Sequence, residues 1–152
     1  MNKKLLAIGF IIIAILILGF CFYTYNTVKI GNAYFTVPEG YHVVDREYCS
    51  NITSETDHMC LVKEVSDDNI NNVIEKYNAA KVSENDTLNF SKFSFGEVEV
   101  IKSISNKNPN VIHYWFVKDG MTYEAFTWAG DSNSDSLLKN LIHSMKPAID
   151  VF

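Results

Sequence analysis

The stretch Val111-Ile112-His113-Tyr114-Trp115-Phe116-Val117-Lys118-Asp119-Gly120-Met121-Thr122-Tyr123-Glu124-Ala125-Phe126-Thr127-Trp128 decides the fold class. Two runs rich in aromatic and β-branched side chains flank Asp119-Gly120. Asp-Gly in that setting is a strong cue for a two-residue type I′ turn, which needs positive φ at both positions and matches the twist of the strands it joins. The reading is an antiparallel hairpin in which Lys118 faces Met121. His113 then lies opposite Phe126 and Trp115 opposite Glu124, all on one face. Both faces of the hairpin carry apolar residues, which predicts a sheet partly covered on each side.

Working outward, residues 88–95 and 97–104 read as two more strands about Gly96, followed by a turn at 106–110 with Pro109. Before them, Ile70, Val73, Ile74 and Tyr77 recur at helical spacing, with Ser66, Asp67 and Asp68 as N-cap candidates. Earlier still, 59–65 and 41–44 read as strands, with 45–58 a polar loop between them. Residues 28–30 and 33–37 about Gly31-Asn32 read as a second hairpin, and Pro38-Glu39-Gly40 breaks the chain. After the central hairpin, a last helix begins near Asp135. Leu137, Leu138, Leu141, Ile142 and Met145 form its apolar face, and Pro147 stops it. Runs of strands interrupted by two helices indicate an α+β domain with one mostly antiparallel sheet packed with two helices.

The N-terminus reads differently. Lys3 and Lys4 precede an uncharged stretch that lasts until Lys29, and 13 of the 19 residues from Leu5 to Tyr23 are Leu, Ile or Phe. As a helix those residues span roughly 28 Å, close to the thickness of a bilayer's hydrocarbon core. The expectation is a transmembrane signal-anchor helix over 5–25, a cytoplasmic tail at 1–4 and an extracytoplasmic domain over 26–152, by the positive-inside rule. A cleaved signal peptide fits less well. Its apolar region is shorter and ends at a small-x-small site, and the only such site, Gly31-Asn32-Ala33, lies far downstream. Lipidation at Cys21 lacks the small residue that should precede it, since Phe20 stands there. Phe20, Phe22, Tyr23 and Tyr25 suit an interfacial aromatic belt.

The chain has 152 residues and a formal net charge of −5. Beyond the two N-terminal lysines, 11 basic residues face 18 acidic ones. Such a surface repels nucleic acid, so no nucleic-acid partner is expected. The partners expected are the lipid bilayer, through the N-terminal helix, and another envelope protein. No nucleotide, metal or cofactor motif is present, and no cofactor is expected.

Cys49 and Cys60 lie beyond the apolar stretch. In an oxidising compartment they read as one disulfide, closing a 12-residue loop and stabilising the fold by roughly 3 kcal/mol. Free thiols, or a metal site with Asp57 and His58, are the alternatives, although the spacing matches no common zinc module. Asn51, Asn85 and Asn89 begin N-x-S/T tripeptides and are glycosylation candidates for a surface-exposed chain.

The order of elements resembles the PsbP-like α/β/α sandwich family. Ala33-Tyr34-Phe35-Thr36-Val37-Pro38-Glu39-Gly40-Tyr41 looks like that family's opening strand and Pro-containing turn. The helix at 69–80 stands in the expected place, and Leu137 to Lys146 is similar to the closing helix. Together these cover most of residues 33–147. The resemblance implies an accessory protein that binds other proteins, with no shared catalytic residue set to carry over.

One pair points to chemistry. In the hairpin register His113 and Glu124 are diagonal neighbours within hydrogen-bonding reach, and a carboxylate-held histidine can act as a general base. An ordinary polar pair on a sheet face is the competing reading. No nucleophile is placed beside it by sequence, Ser103, Ser105 and Thr127 being candidates only by their hydroxyls. Asp131 and Asp135 with the polar residues between them lack the spacing of a calcium loop. Phe126 and Trp128 mark a ligand or partner surface if a helix leaves them open. The leading reading is a membrane-anchored extracytoplasmic accessory or binding module. A small cell-surface enzyme or a structural cell-envelope protein is the alternative.

Overall fold

The Asp119-Gly120 turn forms as its chemistry requires. φ is 51° at Asp119 and 74° at Gly120, and Lys118 pairs with Met121 across the turn. The computed structural model describes residues 3–64, 69–128, 130 and 133–147. In chain order the elements are α1 (Lys3–Tyr25), β1 (Thr27–Ile30), β2 (Ala33–Thr36), β3 (His42–Asp45), β4 (Ser50–Thr53), β5 (His58–Lys63) and α2 (Ile70–Ser83). There follow β6 (Leu88–Phe95), β7 (Val98–Ser105), β8 (Ile112–Lys118), β9 (Met121–Thr127), α3 (Ser134–Ser144) and the short β10 (Lys146–Pro147).

Seven strands form an antiparallel sheet in the order β3-β4-β5-β9-β8-β7-β6. The chain lays down each end by consecutive hairpins, and the β5–β9 pairing joins the two halves across about sixty residues. The alternation of each strand sorts its side chains onto two faces. The inner face presents Ile52, Met59, Leu61, Val100, Tyr114, Phe116, Tyr123 and Ala125, all buried. Against it lie Leu137, Leu138, Leu141 and Ile142 of α3 and Val28, Ile30, Ala33 and Phe35 of the small sheet, completing one core cluster. Phe35 meets Tyr123 edge to face at 5.6 Å, and Tyr123 stacks on Phe116 at 5.3 Å. Ser144 ends α3 and accepts a hydrogen bond from the Thr36 amide at 2.9 Å, tying helix to small sheet.

Among the described residues, α2 is the element that covers the outer face. None of the helix's residues is fully buried, and it meets the sheet chiefly at β8. Ile70, Val73, Ile74 and Tyr77 are half-buried, as their spacing predicts, with Asn78 and Lys81 beside them.

Four expectations are corrected. First, α1 does not carry the transmembrane reading. Among the described residues no helix is long and apolar enough to cross a membrane. The large apolar residues of α1 are exposed, Phe10, Leu16 and Phe20 among them. Second, there are two sheets rather than one. β1 and β2 pair with each other and with β10 as a separate three-stranded sheet. Third, the loop expected over 45–58 contains β4. Ser50-Asn51-Ile52-Thr53 has too few apolar residues to show a strand period, and its pairing with β3 and β5 supplies what the pattern lacks. Fourth, Cys49 and Cys60 are free thiols and not a disulfide. Asn51 is the residue directly opposite Cys60, so Cys49 is a diagonal neighbour. Diagonal Cα atoms in an antiparallel pair lie about 7–8 Å apart, beyond the usual reach of a disulfide. The α2 N-cap is Asn69, whose side chain accepts from the Asn71 amide. Ser66, Asp67 and Asp68, like Asp131, lie outside the described residues.

Candidate functional site

The outer face of the seven-stranded sheet gathers the chain's chemically capable side chains. His113 and Trp115 come from β8, Glu124 and Phe126 from β9, His58 and Cys60 from β5, Asn51 from β4 and Ser103 from β7, placed together by the strand registers. Trp128, just past β9, closes one end, and Tyr77 of α2 lies over the middle.

His113 and Glu124 meet as the hairpin register predicts. Nδ1 of His113 lies 2.5 Å from Oε1 of Glu124, and both side chains are largely buried. A carboxylate accepts, so Nδ1–H donates and Nε2 is left as the free ring nitrogen. The imidazole is held on three sides. Tyr77 covers it at 4.4 Å, Phe126 stacks at 5.3 Å and Trp115 at 5.7 Å. Ser103 stands directly opposite His113 on β7, yet its buried Oγ has no hydrogen-bond partner among the described residues. The arrangement holds a histidine in one tautomer and does not join it to a nucleophile.

Tyr77 is the part of this cluster that the sequence reading assigned only to packing. Burial, and then the charges of Glu124, Asp86 and Glu84, push its phenol far above the ordinary tyrosine value. It stays protonated throughout the physiological range.

Beside α2 the face is open. Trp128 is 44% exposed and stacks on His58 at 3.9 Å, with Phe126 at 6.0 Å. The Trp128 amide donates to Nε2 of His58 at 3.3 Å. Burial lowers the pKa of His58, and the Arg46 charge lowers it further, which keeps Nε2 available as an acceptor. Val44 and Tyr48 extend the exposed apolar surface along the β3 edge. Beneath it, Cys60 donates to Oδ1 of Asn51 at 3.6 Å and is in hydrogen-bond contact with Cys49. Burial pushes the Cys60 thiol up to about 12 and raises that of Cys49 as well, so neither is a ready nucleophile. Among the described residues no group of three His, Cys, Asp or Glu side chains is placed to hold a metal.

Of the glycosylation candidates, Asn51 is buried under this face, whereas Asn85 and Asn89 are exposed near the start of β6. Asn85 adopts a positive φ of 56° in the turn after α2, and Nδ2 of Asn89 donates to Asn106. Thr127, buried on the inner face, and Ser105, bonded to Asp86 at 2.7 Å, are both remote in role from His113. Sequence reasoning named His58 only as an alternative metal ligand and missed its stack on Trp128. The only signal for it is that His58, Cys60 and Val62 share one strand face, and which face that is depends on the β5–β9 pairing.

A scan of protein-family models found no match, and a search of curated proteins found none either. Among solved structures the chain is similar to the solution structure of cyanobacterial PsbP (CyanoP) from Synechocystis sp. PCC 6803. The identity is 11% and the TM-score 0.49, over 76% of this chain and 86% of that one. The likeness is one of overall arrangement, and nothing about activity or partners is taken from it.

Proposed function

We propose that the protein is an accessory or binding module that recognises another protein of the cell envelope through the open half of its outer sheet face. One observation carries this reading. Trp128 is 44% exposed and yet held in place by its stack on His58 and its amide bond to the same ring. A large aromatic that is both exposed and pre-positioned is the kind of residue that anchors protein interfaces, because little side-chain freedom remains to be lost on binding. A photo-crosslinking residue at Trp128 should give one defined product in cells, and the same residue at Lys139 on α3 should not. Equal labelling from both positions would sink the reading.

We also propose that α1 associates with a lipid bilayer. The support is its unbroken exposed apolar surface, from Ile8 to Phe20, which water solvates poorly. The full chain should float with liposomes, and a variant with Ile12→Lys and Leu16→Lys should remain at the bottom of the gradient. Flotation of that variant would show that α1 is not the contact.

The enzymatic alternative has the His113–Glu124 bond in its favour. It lacks, among the described residues, a hydroxyl or thiol bonded to the imidazole.

A further inference from the structure

Among the described residues, three buried side-chain polar atoms where α2 meets the outer face have no hydrogen-bond partner: Oη of Tyr77, Oγ of Ser103 and Nε1 of Trp115. They belong to one layer. Trp115 and Ser103 are 0% and 1% exposed, and sit on adjacent strands as diagonal neighbours around the Ile101–Trp115 and Ser103–His113 pairs. The Tyr77 ring lies 5.2 Å from Trp115 and 4.4 Å from His113. Folded proteins leave few such groups unpaired, since each has given up its water without compensation. Three within a single helix–sheet junction point to something that satisfies them together.

Their chemistry restricts the guest. The indole N–H only donates, and both hydroxyls are able to donate, so the guest must accept. Three carboxylates, Glu124 on the sheet and Glu84 and Asp86 past the end of α2, act on Tyr77 against one ammonium, Lys81, which lies 5.7 Å from its ring and pairs with Glu84, and that balance disfavours an anion. What remains is an uncharged oxygen acceptor. An entry path exists beside the layer. A groove of about 540 Å³ runs between α2 and the β6–β7 side of the sheet, lined by Asn71, Ile74, Glu75, Phe90, Lys92 and Ile101. Ile74 stands one turn before Tyr77, and Ile101 pairs with Trp115, so the groove abuts the layer.

We infer that Tyr77, Ser103 and Trp115 line a binding site for an uncharged oxygen acceptor held between α2 and the sheet. The acceptor is either a long-lived water or the carbonyl or hydroxyl of a small neutral compound. α2, with no fully buried residue, is the element that opens to admit it.

The test uses the full chain in detergent with Trp128→Phe, which leaves Trp115 as the single indole. Its Nε1–H resonance is followed by NMR during titration with N-methylacetamide, glycerol and, separately, acetate. A saturable shift with a neutral probe, and none with acetate, supports a site for an organic guest. No shift with any probe, but a strong cross-relaxation peak from Nε1–H to water, supports a resident water. No shift and no such peak overturns the inference, as does saturation by acetate alone. Tyr77→Phe and Ser103→Ala provide an independent reading. If a guest accepts from these hydroxyls, each variant should lower the Tm by about 2–4 °C. If the hydroxyls are simply unpaired, each should raise it, which overturns the inference.

Discussion

The two faces of the seven-stranded sheet are built from the same strands and do opposite things. The inner face is closed by α3 and the small sheet and contributes the bulk of the buried apolar surface. The outer face carries His58, Cys60, His113, Trp115 and Glu124, and among the described residues α2 covers part of it. Strand alternation separates the two so completely that chemistry on one side need not disturb the core on the other. The difference teaches where each kind of substitution should register: in stability on the inner face, in binding and titration on the outer.

The sharpest test of that division is Phe116→Ala. Phe116 is fully buried and stacked on Tyr123, so its removal should destabilise the fold by about 3–5 kcal/mol, read from urea unfolding. A cost no larger than that of the outer-face variants would erase the distinction. Glu124→Gln comes next. It weakens a charge-assisted bond to His113 and should cost about 1–2 kcal/mol. Nitrogen NMR of the imidazole should show Nδ1 protonated in the parent and a mixture of tautomers in the variant. An unchanged tautomer would mean that Glu124 does not orient the ring.

The thiols give a subtler contrast. At about pH 8 a thiol reagent should find the exposed Cys21 in the folded chain and all three cysteines after unfolding. Because burial raises the Cys49 and Cys60 values above 9.0, the unfolded thiols ionise first as pH rises. Their share of stability is therefore complete below about pH 9 and is lost as pH climbs toward the folded value of about 12 for Cys60. Urea midpoints that stay level from about pH 8 to pH 10 in the parent, matching a Cys49→Ser, Cys60→Ser variant, would contradict this. The smallest effect is expected at Trp128→Ala. That change should alter stability by no more than about 0.5 kcal/mol while abolishing the partner contact we propose. A large loss of stability there would make Trp128 a core residue in practice.

Much of the architecture was legible because it rests on local chemistry. Asp119-Gly120 dictates its own turn, and from that turn the His113–Glu124 contact follows by counting residues. The faces of α2 and α3 follow from 3.6-residue spacing in the same way. β4 was not legible, since Ser50-Asn51-Ile52-Thr53 becomes a strand through its neighbours rather than its composition. The disulfide expectation failed for a related reason. Two cysteines close in sequence are set one diagonal step apart by a pairing that spacing alone does not reveal.

The sequence by itself determined the α+β class, the central hairpin with its register, the helix faces and the histidine–glutamate pair. The hairpin and the pair follow from the chemistry of one turn, and the helix faces and the class from local periodicity along the chain. Only the tertiary structure decided that Tyr77 lies over His113, that His58 stacks on Trp128 seventy residues away, and that the small sheet stands apart from the large one. Those contacts are set by which strand edges meet and which faces exclude water. That is a property of the whole packed chain, because no local segment encodes its distant partner.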